Sequence, residues 1–300
     1  MRGFAARHGW WLVAATWLVD VTLEASVPKL PARSHRPKQQ LGQSYLSDPN
    51  TVAKIVRSFE KAVHERGGSS TSAVLELGPG LGALTQLLVS SFPRMVAVEV
   101  DPRAVEILRK DLPKLEVRLQ NMLKLNYSEL LLEMGGPCFV VGNLPYSITT
   151  EALLSLVLSP RSIRFAQVMV QKEAAERMVA PVGSKDYSVL SVMLQAFARL
   201  RQLYLVPPTA FYPQPKVVSA VVELDFDHPT TEVDVGVLLD VVKESFRQRK
   251  RALRHSLKGY LQKRRLLHFG GHSFFSLRLE ATALRLEAIA SRWEAIASIG

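Results

Sequence analysis

Short apolar runs alternate with longer amphipathic stretches through the first three quarters of this 300-residue chain. Five segments are predicted to be strands: 74–77, 95–98, 116–119, 138–141 and 165–170. A helix is predicted from Asp48-Pro49 to about Glu65, because Asp is a good N-cap and proline is well placed in the first turn. The alternation predicts an α/β domain, with a parallel sheet and helices on both of its faces.

The pattern changes twice toward the C-terminus. Residues 200–225 are β-rich and broken by prolines, which predicts a final antiparallel pair of strands, and the pattern after 226–229 is wholly helical. With 47% hydrophobic residues, the chain is long enough for a full core and a second small domain. We therefore expect three parts, residues 1–37, 38–227 and 228–300.

A glycine-rich stretch follows the first predicted strand and precedes a helix. Gly78, Gly80 and Gly82 allow a sharp turn and a close approach to a ligand, and the helix N-terminus behind them offers amide donors. Glu99, after the next strand, is suited to hold both hydroxyls of a ribose. Because Gly78 and Gly80, with Ala83, also satisfy the loose dinucleotide fingerprint, a nicotinamide-dependent dehydrogenase is a competing interpretation.

The most informative positions are Asn143, Leu144, Pro145 and Tyr146, which end the apolar run 138–142. An amide oxygen, a backbone carbonyl and an aromatic ring at a strand end suit a flipped-out base. Two acceptors placed against the amino hydrogens of adenine would draw its nitrogen lone pair out of conjugation with the ring. The same four residues also make an ordinary turn, so they are informative only together with the glycine loop.

Taken together, these motifs resemble the small-subunit ribosomal RNA adenine N6-dimethyltransferase family. The similarity covers residues 38–290 and includes five further segments in the same order: 41–48, 171–177, 184–192, 207–217 and 246–251. The resemblance implies a Rossmann-like class I S-adenosylmethionine-dependent methyltransferase sheet with a small all-helical C-terminal domain. It implies S-adenosylmethionine as cofactor and N6,N6-dimethylation of two adjacent adenines. A dehydrogenase would have no use for the tetrapeptide.

The resemblance also implies a role for individual positions. Residues against the cofactor would be Ser44, Leu46, Gly78, Glu99, Asn121 and Asn143. Asn143 would also contact the target, with its side-chain oxygen and the Leu144 carbonyl accepting hydrogens from the adenine amine. Tyr146, placed by Pro145, and Phe211 would stack on the two faces of the base. Each stacking contact is worth ~1–3 kcal/mol.

Two positions depart from the family pattern. Asn121 stands where an Asp usually meets the adenine of the cofactor, and Ser44 stands where Asn is usual. Asn keeps an acceptor oxygen but lacks the charge, so we expect weaker cofactor binding. The alternative is a catalytically weak or inactive RNA- or DNA-binding relative, such as the mitochondrial transcription factors of this fold; the intact tetrapeptide favours the enzyme.

Positive charge is concentrated at the two ends of the chain. Of the net charge of +11, residues 241–300 contribute +9 (13 Lys and Arg, 4 Asp and Glu) and residues 1–40 contribute +4 (6 and 2). The C-terminal excess begins in a predicted amphipathic helix over 246–261. We expect this helix to contact RNA phosphates through Arg247, Arg249, Lys250, Arg251 and Arg254.

The N-terminal segment suggests targeting to an organelle. The apolar run 10–19 is too short to span a bilayer, and the basic, proline-containing stretch 28–38 is typical of a transit peptide. We expect a plastid in preference to a mitochondrion, with cytoplasm or nucleolus as the alternative and a misassigned start codon as another explanation.

Cys138 is the sole cysteine, and the histidines show no ligand spacing, so no metal site is expected. The expected partner is small-subunit ribosomal RNA or the assembling subunit, and the mature chain is expected to be a monomer without a membrane segment.

Overall fold

The computed structural model describes residues 44–159, 162–227 and 233–247, together with residues 256, 257 and 260. The predicted presequence lies outside these residues. So do four of the predicted RNA contacts, Arg249, Lys250, Arg251 and Arg254.

A mixed seven-stranded sheet forms the centre of the described structure. Its strands, in chain order, are β2 (Val74–Leu77), β3 (Met95–Glu99), β4 (Glu116–Leu119), β5 (Cys138–Asn143), β6 (Ile163–Gln171), β7 (Arg199–Val206) and β9 (Ser219–Asp225). A separate two-stranded ribbon pairs β1 (Tyr45–Leu46) with β8 (Phe211–Tyr212). The five predicted parallel strands and the antiparallel pair are confirmed, whereas the ribbon was not predicted.

Eight helices connect and flank these strands in the described residues. They are α1 (Pro49–Glu65), α2 (Thr85–Ser91), α3 (Pro102–Asp111), α4 (Tyr127–Glu133), α5 (Thr149–Val157), α6 (Lys172–Met178), α7 (Val189–Phe197) and α8 (Val235–Arg247). The predicted start of α1 is confirmed, since the Asp48 carboxylate accepts the Thr51 amide at 2.8 Å and Pro49 occupies the first turn.

The strand order is β4-β3-β2-β5-β6-β9-β7. Strands β4, β3, β2, β5 and β6 are parallel, and β9 is inserted antiparallel between β6 and β7. The chain moves from β2 toward one edge of the sheet and then returns to place β5 on the other side of β2. The carboxyl ends of β2 and β5 therefore form a topological switch point, where open α/β sheets bind their ligands.

Two hydrophobic clusters cover the two faces of the sheet. One contains Phe59 of α1 together with Phe92 and Phe165, and Phe59 and Phe92 meet edge to face at 5.9 Å between ring centroids. The other includes helices α4 to α7 and also Leu238 and Val242 of α8. The first helix after the predicted boundary at residue 228 thus packs into the core of the sheet domain. The division into domains stays a prediction.

Candidate active site

A cleft opens at the switch point, above the carboxyl ends of β2 and β5. Every predicted cofactor or target residue near the sheet, except Phe211, lines this cleft. These residues are Ser44, Leu46, Gly78, Glu99, Asn121, Asn143, Leu144, Pro145 and Tyr146. Several further lining residues were not predicted, among them Tyr45, Glu76, Val100, Gln120 and Ile148.

The glycine loop forms the floor of the cleft. Gly78, Gly80 and Gly82 have φ angles of 69°, 57° and 86°, in the left-handed region that side chains disfavour. A Cβ atom on Gly80 would lie 3.0 Å from the ring of Tyr45, and one on Gly82 would lie 2.9 Å from Leu108. Glycine is therefore required both for the backbone path and for the close contacts around the loop.

Glu99 connects the glycine loop to the end of β3. Its Oε2 accepts the Gly80 amide at 3.0 Å, and its Oε1 accepts the amides of Val100 and Asp101 at 2.8 and 2.9 Å. These amides hold the carboxylate at the cleft wall. Oε2 accepts only one of the three amides, so it retains a lone pair that can accept a ribose hydroxyl.

Glu76 is an acidic residue within the buried strand β2. It is 2% exposed, and its Oε2 has no hydrogen-bond partner among the described residues. Burial raises the pKa of the Glu76 carboxyl to about 8. A buried carboxylate oxygen without a partner at the wall of a cleft suits a cationic ligand group. The sequence signal that could have found Glu76 is an acidic side chain within the apolar run 73–77.

Asn143 and Leu144 present two acceptors at the end of β5. The Asn143 Nδ2 donates to the Ser44 carbonyl at 3.3 Å, and the Leu144 amide donates to the Met169 carbonyl at 3.0 Å. Within the described residues, no donor is hydrogen-bonded to the Asn143 Oδ1 or the Leu144 carbonyl. The backbone is thus fixed while two oxygens remain available for the amine of a bound base.

The turn that follows is held by Pro145. Its carbonyl accepts the Ile148 amide at 3.2 Å and the Thr149 hydroxyl at 3.1 Å. Tyr146, half-buried at the cleft, forms a hydrogen bond of 2.6 Å with the Ser219 hydroxyl. Burial raises the pKa of the Tyr146 phenol above its ordinary value. Ser219 was not predicted, because it lies 73 residues from Tyr146 in the sequence.

Phe211 is the predicted residue that the structure does not bring into the cleft. It pairs with Leu46 in the ribbon, is 4% exposed, and belongs to the hydrophobic cluster beneath α1. Its neighbour Tyr212 is 53% exposed. Stacking of Phe211 on a base would require its ring to leave this core, and the role stays a prediction.

Asn121 lines the cleft and also caps a short 3₁₀ turn. Its Oδ1 accepts the Leu123 amide at 2.9 Å. One lone pair of the acceptor oxygen predicted to face the cofactor is therefore engaged by the backbone, and the other polar group of the side chain is the Nδ2 donor. An aspartate in this position would have a second acceptor oxygen instead.

Arg247, the last residue of α8, is outside the cleft lining. It forms an ion pair of 3.3 Å with Glu244 on its own helix and is largely exposed. Exposed pairs of this kind are worth little energetically. A predicted contact of Arg247 with RNA is compatible with this exposure and stays a prediction.

In the part of the chain that the structure describes, no cluster of three or more His, Cys, Asp or Glu side chains is arranged to hold a metal ion. Nor does any helix in that part have the length and apolarity needed to cross a membrane.

The sheet order, the glycine loop at the switch point and the acidic residue ending β3 define a class I methyltransferase of the S-adenosylmethionine-dependent type. The family is defined further by comparison with known proteins. Residues 34–297 match the family model described as "Ribosomal RNA adenine dimethylase", and the chain belongs to this family.

Similar proteins are found among bacteria. The "Ribosomal RNA small subunit methyltransferase A" of Salinibacter ruber is 38% identical over 238 residues, covering 79% of this chain and 78% of that protein. The protein of the same name from Chlorobium phaeobacteroides is 39% identical over 223 residues, covering 74% of this chain and 82% of that protein.

Two solved structures share the fold. A dimethyladenosine transferase from Plasmodium falciparum has a TM-score of 0.59 and 25% identity, covering 71% of this chain and 74% of its own. The 23S rRNA methyltransferase ErmE has a TM-score of 0.55 and 28% identity, covering 71% of this chain and 83% of its own. The α/β fold predicted from the sequence is confirmed.

Proposed function

We propose that this protein transfers methyl groups to the exocyclic amines of two adjacent adenines in small-subunit ribosomal RNA, dimethylating each. The observation that carries the proposal is the pair of available acceptors, Asn143 Oδ1 and the Leu144 carbonyl, at the mouth of a cleft with a glycine floor. Family membership and the names of the bacterial relatives support the same reaction.

The residues of the cleft fit S-adenosylmethionine. The glycine loop leaves room for the methionine part, and the unpartnered Glu76 Oε2 suits its ammonium group. Glu99 is placed to accept a ribose hydroxyl of the cofactor. Val100 offers an apolar side chain, 46% exposed, to the adenine ring of the cofactor. When bound, the cofactor supplies a methyl group on a sulfonium, which is electrophilic without a metal.

The residues around the target act by positioning and polarisation. Two acceptors against the two amino hydrogens of adenine would localise the nitrogen lone pair and direct it at the methyl group that a bound cofactor would supply. The nitrogen loses one proton to solvent, and the acceptors favour the more positive transition state. After the first transfer one N–H remains, so a single acceptor suffices for the second.

Purified protein incubated with labelled cofactor and small ribosomal subunits from a bacterial strain lacking its own dimethyltransferase tests the proposal. We expect N6,N6-dimethyladenosine with the wild type and at least a hundredfold loss with Asn143→Ala, the magnitude typical of removing a transition-state hydrogen bond. Asn50→Ala, on the exposed start of α1, is the matched control. RNA binding without incorporation by the wild type would instead support a non-catalytic relative.

We also propose that the basic C-terminal segment contributes phosphate contacts and that the working form is a monomer. The +9 charge of residues 241–300 supports the first statement. Light scattering coupled to gel filtration measures the second, and a dimer mass would contradict it.

A further inference from the structure

Tyr146 is held at both ends. On the backbone side, the carbonyl of Pro145 accepts two hydrogen bonds and fixes the turn that begins with Tyr146. At the far end of the side chain, the hydroxyl meets the Ser219 hydroxyl at 2.6 Å. Because the phenol oxygen lies on the axis about which the ring turns, two fixed ends set the position and direction of the long axis of the ring.

Ser219 is built into the sheet and has no exposed surface. It is the first residue of β9 and is paired with Gln171 on β6 and with Val206 on β7. Its side chain forms no other hydrogen bond within the described residues. Because a buried hydroxyl without a partner is costly, each of the two hydroxyls depends on the other.

We propose that Ser219 is a positioning residue for methyl transfer, which holds the long axis of the Tyr146 ring in the direction that lets the ring stack on the target adenine. This inference rests on the proposed function. The orientation is set before RNA arrives, so the ordering of the ring does not have to be offset by binding energy. Ser219 itself does not line the cleft.

Three variants separate positioning from packing. Ser219→Ala removes the partner, Tyr146→Phe removes the phenol and keeps the ring, and a double variant removes both. We expect kcat on the bacterial subunits to fall roughly three- to tenfold in each single variant, as for the loss of one buried hydrogen bond. Because the two hydroxyls act only as a pair, the double variant should be no slower than either single variant.

Ser191→Ala is the matched control. Ser191 is equally buried and its hydroxyl donates to the Arg177 carbonyl at 2.6 Å, but it lies in α7 outside the cleft lining. We expect its kcat per folded molecule to match the wild type. The dissociation constant for S-adenosylmethionine should stay within about twofold in all variants, because Tyr146 and Ser219 are proposed to act on the target adenine and not on the cofactor.

Wild-type kcat in Ser219→Ala, multiplying losses in the double variant, or an equal loss in Ser191→Ala would each overturn the positioning role. If Ser219→Ala fails to fold, Ser219→Cys replaces it, because cysteine is similar in size to serine and keeps a weak donor. The kcat of Ser219→Cys should lie between that of the wild type and that of Tyr146→Phe. A wild-type kcat in Ser219→Cys would then overturn the proposal. Absence of incorporation by the wild type would contradict the proposed function itself, which is a different outcome.

Discussion

At the residue scale, Glu76 makes the stability of this protein depend on pH. The pKa of its carboxyl is raised from 4.5 to about 8 in the folded state. Between these values the folded chain binds more protons than the unfolded chain, so the free energy of unfolding decreases as pH rises. Above the folded pKa the accumulated loss is on the order of a few kcal/mol.

We expect urea denaturation to give a smaller free energy of unfolding at pH 8.5 than at pH 5, and we expect Glu76→Gln to reduce that difference. S-adenosylmethionine should reverse part of the loss, because its ammonium group takes the place of the proton. A wild-type stability that rises from pH 5 to 8.5, with Glu76→Gln showing the same rise, would contradict this account.

Substitution of Asn121 by aspartate is predicted to increase the affinity for S-adenosylmethionine. Its Oδ1 is engaged by the Leu123 amide, so Asn121→Asp keeps the cap and adds a charged acceptor toward the amino group of the cofactor's adenine. A hydrogen bond to a charged group is worth ~1.5–3 kcal/mol, which predicts binding of S-adenosylmethionine that is tighter by roughly ten- to a hundredfold. Calorimetric titration measures the dissociation constant.

Asn126→Asp is the matched control for this prediction, since Asn126 caps α4 in the same way and does not line the cleft. Unchanged or weaker affinity in Asn121→Asp would show that this position does not face the cofactor's amine.

At the element scale, the ribbon of β1 and β8 joins the side of the cleft that would hold the cofactor to the connection between β7 and β9. Phe211 is buried there opposite Leu46. We expect Phe211→Ala to lower the free energy of unfolding by about 3–5 kcal/mol, as for other buried phenylalanines. Chemical denaturation measures the change.

Phe211→Leu distinguishes packing from stacking, because leucine fills much of the space without an aromatic face. Loss of methylation in this variant, with stability nearly retained, would support the predicted stacking of Phe211. Retained methylation would assign the residue to the core.

The same elements show what the sequence could and could not predict. Strands β2 to β6 were predictable because each is an apolar segment between helical stretches, and the glycine loop followed from its position after β2. The ribbon was not predictable, because two residues per strand carry no periodicity. The burial of Phe211 and the link from Tyr146 to Ser219 depend on tertiary contacts between distant segments.

At the scale of the whole molecule, the family match begins at residue 34, so the apolar run 10–19 and residues 28–33 of the basic stretch lie outside it. We propose that residues 1–37 direct the precursor to an organelle, with a plastid favoured. Imaging of the full-length chain with a C-terminal fluorescent tag should show organellar signal, and deletion of residues 2–37 should abolish it. Diffuse cytosolic signal from the full-length chain would rule out the presequence.

The antiparallel insertion of β9 has a consequence for how one wall of the cleft is held. Strand β7 ends at Val206 and β9 begins at the paired Ser219, beside the carboxyl end of β6. The connection 207–218 is therefore a hairpin loop on the cleft side of the sheet, whereas the parallel strands are joined by crossovers that bury helices. Its ends are fixed by strand pairing, and its middle is fixed by the pairing of β8 with β1, which carries the cleft residue Leu46. A change of length within this loop is therefore expected to displace one wall of the cleft.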